Sequence, residues 1–346
     1  MLFVFFSHFV EVYFRRHDVP VGLSYLITMI ASPAFIVISG LMLGVLYHGR
    51  KDSFEDTRSR FIRRGFFLIT VGRLLIYLAH IPFAGGWEEA LRWGFMTDTI
   101  GVCIILGPVL MPKLSSQSRL ATGILLIGLS WVVLPRWNPT GTLGIACKEM
   151  LVGPFVADVR FFADVFPILP WLGLYLAATS LGESLGKLLK AGKEAELGRV
   201  VFRFGLGGIG VAGGVVLLRH LLQRLDPVVW GTGVRMFLTP FQKLPPSPVY
   251  FLFYGGCALV MLALLLKFQH VRPVSLYIAV TEILGRTSLF VFIVQYFVYF
   301  SLFVWIDPGP ANLWPVYFAC SAALLWGTAL LWDKGNLNKY LIVPKL

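Results

Sequence analysis

The sequence predicts an all-α fold, a polytopic membrane helical bundle of about ten transmembrane helices, and three observations carry that reading. The chain has 346 residues, of which 57% are hydrophobic and only 14% charged. Its mean hydropathy is +0.76. Apolar runs of roughly 17 to 25 residues recur along it, each long enough to cross a bilayer. Helices are the open-chain elements that satisfy every backbone group in lipid, so a helical bundle follows. Residues 1–346 are read as a single domain.

Charge and cysteine usage narrow the partners. The 30 Lys and Arg outnumber the 18 Asp and Glu, for a net charge of +12. In a soluble chain that balance would suggest nucleic acid. Here the basic residues fall in the connections between spans, so membrane lipids and an anionic cofactor are expected and nucleic acid is excluded. Cys103, Cys147, Cys257 and Cys320 show no CxxC spacing, so neither a metal site nor a disulfide framework is expected. No small-residue cleavage site follows the first apolar stretch, so no cleavable signal peptide is expected.

The spans are placed at about 1–14, 24–47, 65–82, 94–111, 120–134, 165–182, 204–222, 248–267, 287–306 and 312–332. Alternate connections carry nineteen Lys and Arg on one side and ten on the other, with Arg73 inside a span. The richer side is expected to be cytoplasmic, which puts both termini inside.

The first span, FVFFSHFVEVYF, sets a histidine, His8, in an otherwise apolar helix. Ionisable groups at bilayer depth are costly and face a protein interior or a wet cavity, which makes His8 a functional candidate. An imidazole titrates near neutrality and can take a proton and return it within one cycle. Ser7, His8 and Glu11 stand at spacings that share one α-helical face. A buried histidine that merely bonds a neighbour is the competing reading. Fourteen residues rise only about 21 Å at 1.5 Å each, against about 30 Å of hydrocarbon, so a start upstream of Met1 is expected.

The second span carries ASPAFIVISGLMLG, with Ser32 among its small residues and Gly40 and Gly44 forming a GxxxG pair that lets another helix approach. Pro33 frees a carbonyl and can bend the helix. The third span follows a basic connection ending in Arg63 and Arg64 and buries Arg73 roughly 13 Å further along. A guanidinium at that depth calls for an anion, either Asp98 or a phosphate. Asp98, near the start of the fourth span, can equally cap its own helix.

Two long outward connections, Pro135 to Ala163 and Gln223 to Ser247, are of a length that in a compact domain is usually either functional or disordered. Between them the sixth span opens with DVFPILPWLG, where Asp164, Pro167, Pro170 and Trp171 interrupt regular pairing at the membrane entrance. That is tolerated only against protein or water. Trp171 fits either an interfacial belt or a pocket wall. In the ninth span Glu282 and Arg286 stand four apart and can pair. Gln295 lies nine residues on, where an amide can join helices.

FFSHF, ASPAFIVISG, TDTIGV, FPILPWLG and LGRTSLFVFIVQYF, in this order and at these separations, resemble the landmarks of the transmembrane acyltransferases related to heparan-α-glucosaminide N-acetyltransferase, bacterial members in particular. The resemblance spans nearly the whole chain. It implies ten or eleven helices in a plasma-membrane enzyme that moves an acetyl group from cytoplasmic acetyl-CoA to a sugar amine or hydroxyl on the outer side. It places the catalytic histidine at His8. Relatives also carry a Leu-Asp-x-x-Arg-Gly segment before that histidine, and a late histidine where this chain has Gln295.

From this follow the expected roles. His8 is general base or transient acetyl carrier, with Glu11 or Asp98 fixing its tautomer and Asp164 nearby. Arg63, Arg64, Arg73 and Arg286 hold the phosphates of acetyl-CoA. Ser32, Trp171 and Gln295 line the acceptor pocket, and no metal takes part. The partners are a small-molecule or glycan acceptor and lipids, with a homodimer left open. A transporter or lipid flippase built on Gly- and Pro-interrupted helices is the alternative, as is a catalytically inactive relative.

Overall fold

The computed structural model describes residues 1–15, 17, 22, 24–155, 160–225, 232–306 and 310–341. The described elements are helical. In chain order they are α1 (Leu2–Phe14), α2 (Ser24–Gly49), α3 (Phe54–Ala84), α4 (Trp87–Leu91), α5 (Met96–Leu110), α6 (Ser116–Val133) and α7 (Thr142–Leu151). They continue as α8 (Ile168–Lys190), α9 (Glu194–Leu225), α10 (Thr232–Phe237), α11 (Pro248–Phe268), α12 (Arg272–Arg286), α13 (Ser288–Trp305) and α14 (Trp314–Lys334).

Every expected span falls on a helix, as a polytopic helical bundle requires. Among the described residues seven helices, α2, α3, α6, α9, α11, α13 and α14, are long and apolar enough to cross a membrane. Helices α1 and α5 are apolar but shorter. Helix α8 has 23 residues and carries Glu183, Lys187 and Lys190 toward its end. The connections also hold more structure than expected. Helix α7 lies inside the first long outward connection and α10 inside the second, which shortens the irregular backbone in each. Parts of both connections, 156–159 and 226–231, lie outside the described residues.

The chain divides into two compact units. Unit 1 comprises Met1–Ala31, Phe66–Trp93 and Phe268–Leu346, and unit 2 comprises Ser32–Gly65 and Gly94–Lys267.

Unit 1 is packed through aromatic rings. Phe6 of α1 lies 5.2 Å from Phe318 and 6.1 Å from Trp314 on α14. Phe9 meets Phe318 at 5.5 Å. Tilted and edge-on pairs at these separations add to the area they bury. The hydroxyl of Ser301 on α13 donates to the Ala79 carbonyl of α3 at 2.7 Å. Three helices of this unit contain a π-helical turn: Val10–Phe14 in α1, Leu68–Gly72 in α3 and Phe297–Leu302 in α13. Such i→i+5 turns are rare and frequent at functional sites.

Unit 2 is packed backbone against backbone. A Cβ added at Gly44 of α2 would overlap the Thr179 carbonyl of α8, and one at Gly182 of α8 would overlap the Leu41 carbonyl of α2. Gly123 of α6 and Gly173 of α8 face each other in the same way. The Gly40–Gly44 pair therefore packs a helix, as small-xxx-small stripes do in membranes. On the side of the long connections, the Trp131 indole donates to the Pro246 carbonyl at 3.0 Å, and Trp131, Leu134 and Val152 form a small core.

Candidate functional site

In unit 1 the structure builds an imidazole niche. His8 stands on α1 one turn before its π-helical segment, and its ring lies 4.7 Å from Tyr296 and 5.2 Å from Phe300 of α13. Tyr296 and Phe300 stack at 5.2 Å with their planes 21° apart, so together they form one wall. His8 is half-buried, its neighbours Phe6 and Phe9 more so.

The same wall carries a second histidine that the sequence reading passed over. His80, on α3, is 1% exposed. Its ring lies 4.7 Å from Phe300 and 4.7 Å from Trp93. Phe300 therefore contacts both imidazoles. The signal was available, because an ionisable ring in an apolar span is the criterion that selected His8. Arg73, on the same helix, donates from Nη2 to the Trp93 carbonyl at 2.8 Å, which ties down the residue packed on His80. Arg15 lies 5.9 Å from the centre of the Phe83 ring.

Other expected site residues of unit 1 fall elsewhere. Glu11 lies within the π-helical turn that begins two residues after His8. Gln295 is fully buried beside Tyr296. Its amide nitrogen donates to the Phe292 carbonyl at 3.2 Å, and its amide oxygen has no hydrogen-bond partner among the described residues. Arg286 bridges Glu282 at 3.2 Å and Asp333 at 2.9 Å, so its charge is already met by two carboxylates.

In unit 2 the expected residues serve the backbone. The Asp98 carboxylate accepts from the Phe95 N–H at 3.2 Å and so caps α5, as an N-terminal acid does. Asp164 accepts from the Val165 N–H at 3.0 Å, while its carbonyl accepts from the Gly94 N–H at 2.7 Å. Thr99 donates to the Phe166 carbonyl at 2.5 Å. These bonds strap the FPILPW stretch across the start of α5. Burial pushes the Asp164 carboxyl above the usual carboxylate range, against the pull of Lys243, the Val165 N–H and Arg160.

Trp171 is fully buried, 4.9 Å from Phe251 and 6.2 Å from both Phe166 and Tyr250. This burial corrects the interfacial-belt reading. Its indole N–H has no hydrogen-bond partner among the described residues. Ser32 and Arg63 are half-buried and Arg64 is exposed. The structure thus gathers His8, Glu11, Arg73, Arg286 and Gln295 in unit 1, and Asp98, Asp164, Arg63, Arg64, Ser32 and Trp171 in unit 2.

Helices of membrane-spanning length and composition, with ionisable rings enclosed among aromatics, define a multi-pass integral membrane protein with an interior polar site. Residues 1–206 match the family model of the catalytic region of heparan-alpha-glucosaminide N-acetyltransferase, and the chain belongs to that family of acetyltransferases, which use acetyl-CoA as donor. No curated protein and no solved structure matches the chain. The match takes in His8 and His80, while Tyr296 and Phe300 lie beyond it.

Proposed function

We propose that this protein is an acyl-CoA-dependent acetyltransferase of a bacterial-type plasma membrane, with both termini cytoplasmic. It moves an acetyl group from cytoplasmic acetyl-CoA to an amine or hydroxyl of a sugar or glycan on the outer side. The observation that carries the reading is His8 seated against Tyr296 and Phe300 in unit 1. Family membership supports the reaction type, and the excess of basic residues on one set of connections supports the orientation.

The thioester supplies the acetyl group. His8 accepts the proton of the attacking N–H or O–H as the new bond to the carbonyl carbon forms, and the carbon–sulfur bond breaks to release CoA thiolate. His8 then returns that proton to the thiolate, so the imidazole ends as it began. The aromatic wall holds the ring in place and keeps water from the reacting carbon. Within unit 1 Arg73 remains as a donor contact in this reading, while Arg286 is engaged by its two carboxylates. Asp98 and Asp164 shape the backbone, and the unsatisfied amide oxygen of Gln295 suits an acceptor N–H or O–H.

The test is release of CoA from acetyl-CoA by purified protein in the presence of amino sugars. Wild-type protein should release it and His8→Ala should not. Wild-type-like release by that variant, or none from wild type with any acceptor, overturns the proposal.

A further inference from the structure

At one end of unit 2 three cation-rich connections converge on a cavity of about 430 Å³. Lys51 follows α2, Lys113 follows α5, and Lys187 lies in the last turn of α8; all three line it. The fourth cation of the lining, Arg119 of α6, is only 1% exposed. Against these four the lining offers one carboxylate, Glu183.

Arg119 is locked from behind. Its Nη1 donates to the carbonyls of Met111 at 3.3 Å and Leu114 at 2.9 Å, and its Nη2 pairs with Glu183. The guanidinium carbon lies 5.8 Å from the centre of the Tyr47 ring, a cation–π contact. Its Nε is buried and has no hydrogen-bond partner among the described residues. Glu183 also takes Lys187 at 3.4 Å. The one carboxylate among the described lining residues is therefore shared by two cations, and those residues hold no second one for the exposed Lys51 and Lys113.

Helix α6 begins in the same lining, at Ser116. Ser115 caps it by accepting from the Ser118 N–H at 3.1 Å, and the first N–H groups of an 18-residue helix favour an anion. The volume falls in the range of pockets for small ligands. Net positive lining, a fixed buried guanidinium and a helix N-terminus together select phosphate over neutral polar groups.

We infer that this cavity binds a phosphate-bearing ligand through Lys51, Lys113 and the start of α6, with Arg119 as its fixed positive floor. The same chemistry recognises the phosphates of a coenzyme A molecule and the phosphodiester of an anionic lipid headgroup. The inference stands on unit 2 alone and does not rest on the role of His8.

The experiment uses the full chain. Purified protein in neutral detergent is titrated with coenzyme A by calorimetry. Separately, protein in nanodiscs with and without phosphatidylglycerol is assayed by native mass spectrometry for retained lipid. The double variant Lys51→Gln, Lys113→Gln alters exposed side chains only, and its fold is checked by circular dichroism. It should weaken the ligand at least about tenfold, the equivalent of roughly 1.4 kcal/mol.

Loss confined to coenzyme A assigns the cavity to the soluble donor, and loss confined to phosphatidylglycerol assigns it to lipid. Loss of both supports a general phosphate site. Wild-type binding of both by the double variant, or binding of neither by the wild type, overturns the inference.

Discussion

The two units solve the same packing problem with different emphasis, although unit 2 also holds an aromatic cluster around Trp171. Unit 1 meets its neighbours ring against ring, through Phe6, Phe9, Tyr296, Phe300 and Trp314, and keeps two imidazoles among those rings. Unit 2 removes side chains where helices cross, at Gly44, Gly123, Gly173 and Gly182, so that main chain meets main chain. Large rings leave gaps of irregular shape beside them, and a polar ring can occupy such a gap. Glycine contacts leave none, and rigidity follows. On the proposed reading, the comparison sets the chemistry where rings pack on rings, and the framework where main chain meets main chain.

The largest expected effect separates the two. His8→Ala should lower acetyl transfer by about 10²–10⁴-fold, the usual worth of a positioned acid–base group, while the thermal unfolding midpoint in detergent stays near that of the wild type. Gly44→Leu should do the reverse. Its side chain would press on the Thr179 carbonyl and cost about 1–3 kcal/mol or more by overpacking. The midpoint should fall, while protein that remains folded keeps its rate per molecule. If Gly44→Leu is tolerated without loss of stability, the contrast between the units is wrong.

A smaller effect tests the strapping of the first long connection, Pro135 to Ala163. Glu149 is 1% exposed and accepts from the Phe161 N–H at 3.2 Å and the Phe162 N–H at 2.8 Å. Glu149→Gln removes the charge from those bonds and should cost about 1.5–3 kcal/mol locally. Faster amide exchange at Phe161 and Phe162, with exchange in unit 1 unchanged, would sharpen the comparison.

How far the residues alone reveal this molecule depends on sequence distance. Helix positions were legible because apolar runs are local, and so were the Asp98 cap and the Glu282–Arg286 pair, three and four residues apart. The GxxxG pair was legible as a packing stripe, though not its partner helix. The π-helical turns were not legible, since a change from i→i+4 to i→i+5 pairing leaves no mark in residue periodicity. Arg119 and Glu183, 64 positions apart, carry no local signal of their pairing. His80 is legible in the sequence as an ionisable ring in an apolar span.

A pH series probes the strap from another side. The Asp164 carboxyl is raised from its ordinary 3.8 by burial. Between 3.8 and the raised value the folded chain holds a proton that the unfolded chain has released. The contribution is therefore fully present below 3.8 and is lost as pH rises through the folded value. Asp164→Asn cannot ionise and should lack that loss, so unfolding midpoints of variant and wild type should diverge in favour of the variant as pH climbs through the window. Parallel curves would show that the carboxyl is solvated.

The smallest effect belongs to Arg286, where unit 1 behaves as ordinary surface. The side chain is 56% exposed and shared between Glu282 and Asp333. Exposed ion pairs contribute about 0–1 kcal/mol and are screened by salt. Arg286→Gln should therefore shift the midpoint by no more than that, and high salt should erase the difference. Affinity for coenzyme A should also be unchanged, because two carboxylates already occupy the guanidinium. A clear loss of coenzyme A binding in Arg286→Gln would mean that phosphate displaces those carboxylates, and would move part of donor recognition into the unit that holds the imidazoles.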